Sequence, residues 1–94
     1  QLAPLSSSPE MAALEIPALY PNPAADELTL TCEKSMEGTC FVLYEISGRE
    51  VERIKTEGYS MQISLAHLQK GFYQYQFLKG KNILRSGKLI ITNN

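Results

Sequence analysis

Apolar and polar residues alternate with a period of two along most of this chain, the spacing of a strand with one face in a core. In residues 27–32, Leu28, Leu30 and Cys32 fall on one side and Glu27, Thr29 and Thr31 on the other. Residues 39–46 are rich in β-branched and aromatic side chains and predict a second strand. Its alternation slips at the end, because Phe41 and Leu43 share a face and Ile46 does not keep step with them. A bulge or turn near Glu45 is expected to bring Ile46 back to the core. Residues 49–57 predict a strand with Val51 and Ile54 inward, and residues 60–65 set Met61, Ile63 and Leu65 on one face. Leu68, in the short connection that follows, is expected to plug the bottom of the core. Residues 72–79 give the clearest alternation, with Tyr73, Tyr75 and Phe77 opposed to Gln74 and Gln76. Residues 83–92 close the series, with Leu89 and Ile91 on one face and Lys88 and Ile90 on the other.

Turn chemistry separates these segments. Ser47-Gly48-Arg49 reads as a tight turn in which Gly48 supplies a positive φ. Residues 33–38 are polar and end on glycine, Gly58 and Gly71 interrupt the pattern, and Lys79-Gly80-Lys81-Asn82 is a hairpin signal. Upstream, Tyr20-Pro21-Asn22-Pro23-Ala24 is a stiff corner. Each proline fixes its own φ, lacks an N–H and drives the residue before it towards extended geometry. Tyr20 is expected to pack against the body of the domain, and Asn22 to bond local backbone within the turn. Residues 14–20 could form an edge strand interrupted at Pro17. Residues 1–13, with Ser6-Ser7-Ser8 between Pro4 and Pro9, have linker composition, which puts the domain at residues 14–94. Short strands, turn signals and no long helix predict an all-β fold: an immunoglobulin-like antiparallel β-sandwich of about seven strands. The chain has no Trp, so the antibody-type Cys…Trp…Cys signature is absent and the likeness is one of architecture.

Composition narrows this further. Ninety-four residues make one small domain with little room for a deep cleft. The net charge of −1 hides an asymmetry: residues 1–57 hold ten acids against four bases, and residues 58–94 hold five bases and no acid. The basic half reads either as solvated strand faces with lysines guarding an edge, or as a surface offered to an acidic partner. No apolar run is long enough to span a bilayer, and no secretory pattern is visible from Gln1, so the sequence is expected to be part of a longer protein. Cys32 and Cys40 flank the 33–38 loop. They could form a disulfide in an oxidising compartment, or remain two buried thiols in a reducing one.

Reactive chemistry is sparse. His67 and Asp26 are single representatives of their types, and no serine sits in a nucleophile elbow. The cysteines lack CxxC spacing, and adding His67 still leaves a zinc site one ligand short. There is no phosphate-binding glycine loop, and the aromatics of residues 72–79 alternate as core residues do, not as a base-stacking platform. The expectation is a non-enzyme with no cofactor and no nucleic-acid partner.

Read in order, the landmarks resemble one family. Leu19-Tyr20-Pro21-Asn22-Pro23-Ala24 with Leu28 and Leu30, then Leu43 to Val51 around Gly48, then Ile63-Ser64-Leu65, Gly71-Phe72-Tyr73 and finally Lys88-Leu89-Ile90-Ile91 are similar to the C-terminal sorting domain of the type IX secretion system, type A. Glu45 stands where that family often has Asp or Asn. The resemblance spans about residues 15–94 and implies an immunoglobulin-like sandwich. It implies that an upstream cargo in the same chain is exported, passing through the periplasm to the cell surface or medium. It also implies an outer-membrane translocon and a sortase-like peptidase as partners, with no insertion of the domain itself into the membrane. Cleavage is expected within residues 6–13, where an accessible linker suits proteolysis. Lys88, Leu89, Ile90 and Ile91 are the candidate recognition residues, on a basic strand expected at a sheet edge. Tyr20, Pro21, Asn22, Pro23, Gly48, Gly71 and Tyr73 are expected to be architectural. The competing readings are a non-catalytic glycan- or protein-binding module, for which Tyr44, Tyr59 and Phe72 are candidate exposed aromatics, and a structural spacer beside a catalytic domain.

Overall fold

The structure, a computed structural model, describes residues 16–92. Seven strands follow in order: β1 (Ala18–Tyr20), β2 (Glu27–Thr31), β3 (Thr39–Glu45), β4 (Glu50–Thr56), β5 (Ser60–Ser64), β6 (Gly71–Lys79) and β7 (Asn82–Ile91). They form two sheets, β1-β2-β5 and β4-β3-β6-β7, with every pairing antiparallel. Pairing of β2 with β5 and of β3 with β6 joins strands distant in sequence, as in the Greek-key connections of an immunoglobulin-like sandwich. The expected all-β sandwich is therefore the fold. The expected linker, residues 1–13, and the start of the proposed first strand lie outside the described residues.

The alternation explains the layering. Leu28, Leu30 and Ile63 from the three-stranded sheet, with Leu65 just after β5, meet Phe41, Leu43, Tyr73, Tyr75, Phe77, Leu89 and Ile91 from the four-stranded sheet in one buried cluster. At its centre the rings of Phe41, Tyr75 and Phe77 lie with centroids 5.2 to 6.1 Å apart, a spacing at which offset and edge-on aromatic contacts are favourable. Val51, Ile54 and Leu68 pack against this cluster from its margin, as their spacing predicts. The Tyr73 hydroxyl donates to the carbonyl of Gln69 at 2.6 Å, tying β6 to the connection before it.

Three positions depart from the sequence reading. Ile46 does not return to the core. The register of β3 against β4 shifts between Leu43 and Tyr44, and β3 then ends at Glu45. Hydrogen bonds from Glu45 N to Arg49 O and from Gly48 N to Glu45 O close the turn, with Gly48 at φ +96°. Ile46 is left 70% exposed within it. Tyr20 faces outward and is half exposed, because it pairs with the outward Thr29, whereas its neighbour Leu19 pairs with buried Leu30 and packs on the core. Met36, in a loop that reads as polar, is fully buried. Its N–H donates to Gly58 O at 2.7 Å, and the Thr56 hydroxyl lies 2.8 Å from Met36 O and 2.9 Å from Thr39 O. Thr56 and Thr39 are themselves buried, so the loop is held by hydrogen bonds that no local pattern announces.

Gly87 has a packing role. It pairs with Tyr75 across β6 and β7, and a Cβ at that position would lie 2.8 Å from the tyrosine oxygen and 3.0 Å from two ring carbons. Because Tyr75 is buried in the aromatic cluster, its ring has little room to yield. Gly87→Ala is expected to cost about 1–3 kcal/mol by overpacking. Thermal denaturation measures this. The cost of Gly87→Ala should shrink in a Tyr75→Leu background, and equal costs in both backgrounds would show that the ring is not the obstacle.

Candidate functional site

β7 is the longest strand and forms one edge of the four-stranded sheet. Its period-two pattern sends Leu89 and Ile91 into the core, where both are buried, and turns Lys88 and Ile90 outward. The four candidate recognition residues thus divide by face. Two fix the strand, and two are presented by it.

The edge of β7 is not uniform. Asn22 reaches it from the proline corner: its Nδ2 donates to Lys88 O at 2.8 Å and its Oδ1 accepts from Ile90 N at 3.1 Å. Ala24 continues the pairing, donating to Ile90 O at 2.8 Å and accepting from Thr92 N at 2.7 Å. The Thr92 hydroxyl also donates to Ala24 O, and Ala24 and Ile91 form a parallel bridge. The amide of Asn22 does for β7 what a peptide group of a neighbouring strand would do. The expectation that Asn22 bonds local backbone is therefore corrected. Its partners lie at the opposite end of the chain: the segment runs alongside β7, where Ala24 bridges to Ile91, and not back on itself. Ala24 is fully buried beneath this closure. Nearer the hairpin the edge is different. Ser86 has the same orientation as Lys88 and Ile90, so its N–H and C=O point outward, and no described residue pairs with them. The Arg85 guanidinium donates to Pro17 O at 3.1 Å and is the contact between this half of β7 and the start of the described chain.

The outward face of the four-stranded sheet joins β7 to its neighbours. Phe72 is the register partner of Ile90, and Gln74 is that of Lys88. Tyr44 lies across from Gln74 on β3, and its hydroxyl donates to Gln76 Oε1 at 3.2 Å. Val42, although on this outward side, is fully buried. Phe72 is 59% exposed.

Other candidates lie apart from β7. Cys32 follows β2 and packs against the core, whereas Cys40 sits on β3 opposite Lys55 and Leu78; no disulfide joins them. Gly48 lies in the β3–β4 turn, and Gly71, at φ +147°, starts β6. The Arg49 guanidinium, bonded to Glu45, holds that carboxyl below the ordinary value of 4.5, and Ser47 assists. Arg53 does the same to Glu50. Both pairs are at the surface and stabilise little. Because the folded pKa values are lowered, that small contribution is present at neutral pH and is lost as pH falls through them, below 4.5. His67 Nε2 lies 2.8 Å from Glu52 Oε1. No group of three or more His, Cys, Asp and Glu among the described residues could hold a metal ion. None of their helices is long and apolar enough to cross a membrane.

A family model described as a secretion system C-terminal sorting domain matches residues 18–92. The matched span opens on the first residue of β1 and closes on Thr92, so it contains both sides of the closure between the proline corner and β7. No curated protein and no solved structure matches the chain.

The closure generates a prediction. Asn22→Ala should cost about 1 kcal/mol, the net worth of its hydrogen bonds at an exposed site. Ala24→Leu should cost about 1–3 kcal/mol, because the buried site has no space for the larger side chain. Thermal melts measure the costs, and amide chemical shifts locate them. The Asn22→Ala shifts should appear at residues 88–92, and shifts confined to residues 20–26 would contradict the assignment.

Proposed function

The chain belongs to the family of secretion-system C-terminal sorting domains, the sorting signals of type IX secretion, and from that premise we propose how its strands serve as the signal. The family match over residues 18–92 carries the reading. A cargo domain precedes the sandwich in the same polypeptide and is the passenger. The domain directs it from the periplasm through an outer-membrane translocon, after which the cargo resides at the cell surface or in the medium. A sortase-like peptidase removes the domain by cutting within residues 6–13, ahead of the first strand. The role is that of a folded address and not of a catalyst. The family match gives no support to the competing glycan- or protein-binding module.

Within the domain, Lys88 and Ile90 are the residues that the translocon reads, and Leu89 and Ile91 anchor the strand that presents them. Two features of the structure favour this division: the alternation of burial along β7 and the position of β7 at a sheet edge. The proline corner, Gly48, Gly71 and Tyr73 hold the frame. Strand addition by a partner at residues 88–92 would first have to displace Asn22 and Ala24, so reading through side chains is favoured there.

The test is a fusion of residues 1–94 to the end of an inert periplasmic reporter, in a host that has this secretion system. The reporter should reach the surface or medium, and retention in the periplasm would reject the sorting reading. Lys88→Glu reverses an exposed charge without touching the core, so it should lower export while the melting temperature stays that of the parent. Export at the parental level would remove Lys88 from the signal. Intact-mass analysis of the exported product should place the cut within residues 6–13, and a cut inside the sandwich would contradict the proposed site.

A further inference from the structure

We infer that the surface read during sorting extends from β7 onto β6 and the β3–β4 turn: Ile46, Phe72 and Ile90, with Lys88 beside them, form one apolar and cationic patch that seats a protein partner offering an apolar pocket edged by a carboxylate. This rests on the sorting reading above and adds to it the further contact residues and the chemistry of the partner.

The register builds the patch. Phe72 lies directly across from Ile90, and Gln74 from Lys88. Glu45 pairs with Tyr73, and the next residue, Ile46, lies in the turn that leaves β3 at the Phe72 end of the same sheet. Ile46 is 70% exposed and Phe72 59% exposed, two of the six large apolar side chains left open among the described residues. Burying what remains open of each would remove apolar surface from water, which is how interface anchors contribute. Single exposed apolar residues need no explanation, but two at one end of a sheet, with half-buried Ile90 across from one of them on the edge that carries the candidate signal, do.

Charge selects the partner. Lys88 has no ion pair with any described residue, and no acid follows residue 57. A carboxylate on the partner therefore meets no competitor for Lys88 on this strand. Nearby, Glu45 and Glu50 are already bonded to Arg49 and Arg53, so the surroundings of Ile46 are close to neutral. Lys70, just before β6, and Lys88 are two bases near the patch, where binding to an anionic lipid surface takes several acting together; of the two, Lys88 lies on the strand that carries Ile90. A protein pocket with a single well-placed carboxylate uses that lysine better. The closed edge at residues 88–92 points the same way, since its main-chain groups are engaged by Asn22 and Ala24 and the side chains remain for reading.

The test uses the reporter fusion of the full 94-residue chain. Phe72→Glu and Ile46→Glu should each reduce export about tenfold or more, the effect of losing an interface anchor. Phe72→Ser, which adds no charge, should reduce it in the same direction. All three purified chains should melt near the parental temperature, because the residues are exposed. Ile83→Glu, equally exposed but at the hairpin end of β7, should export as the parent does. Parental export of both Phe72→Ser and Ile46→Glu overturns the inference, and so does an equal loss in Ile83→Glu. Phe72-dependent co-sedimentation of the purified chain with phosphatidylglycerol vesicles would make the occupant a lipid surface, and Phe72-dependent dimerisation in analytical ultracentrifugation would make it a second copy. Either result overturns the proposed partner. Failure of the unmutated fusion to leave the periplasm falls instead on the sorting reading.

Discussion

The pairing of Asn22 and Ala24 with residues 88–92 is the constraint on which the arrangement of this domain depends. An edge strand presents a row of unmet N–H and C=O groups, and a long one invites unwanted pairing. Here the chain supplies its own cover over half of that row. Asn22 offers a donor and an acceptor on one planar amide, spaced to meet Lys88 O and Ile90 N. The prolines on either side have no N–H to leave unmatched. Ala24 then provides a true backbone pairing, and its small side chain lets the segment lie close enough to be buried. The first and last parts of the described chain are thereby one structural unit.

That unit gives β7 its division of labour. Leu89 and Ile91 are held in the core and by the closed edge at once, so the orientation of Lys88 and Ile90 is set from two directions. Opposite them, Phe72 and Gln74 belong to β6, whose inward residues Tyr73, Tyr75 and Phe77 belong to the buried core. The outward face therefore stands on a rigid base. The proposed reading through side chains gains from such a base, because the backbone that carries them is ordered before a partner arrives. The β3–β4 turn, fixed by Gly48 and the Glu45–Arg49 pair, adds Ile46 to the same end of the sheet.

Much of this was legible in the sequence because period-two alternation is a local property. Leu28 and Leu30, Ile63 and Leu65, Tyr73 to Phe77, and Leu89 with Ile91 all announce their burial, and the segments they mark become β2, β5, β6 and β7. What stayed hidden depends on partners far along the chain. Asn22 between two prolines signals a turn, and nothing near it names Lys88 or Ile90. Met36 lies among polar residues, and its burial is set by Thr56 and Gly58. Ile46 carries an apolar side chain and a strand-like context, yet the strand ends one residue before it. Gly87 looks like a weak point in a strand until Tyr75 is placed across from it. The candidate recognition face was half visible: Lys88 and Ile90 follow from alternation, whereas their company with Phe72 and Ile46 follows from strand register.

Hydrogen–deuterium exchange of individual amides along β7, followed by NMR on the unmutated chain, tests the closure most directly. The N–H groups of Ile90 and Thr92 point away from β6 and are engaged by Asn22 and Ala24, while that of Ser86 points the same way with no partner among the described residues. The account predicts slow exchange at Ile90 and Thr92 and fast exchange at Ser86. Fast exchange at all three, with the core amides of β6 still protected, would show that the proline corner does not close the edge of the last strand.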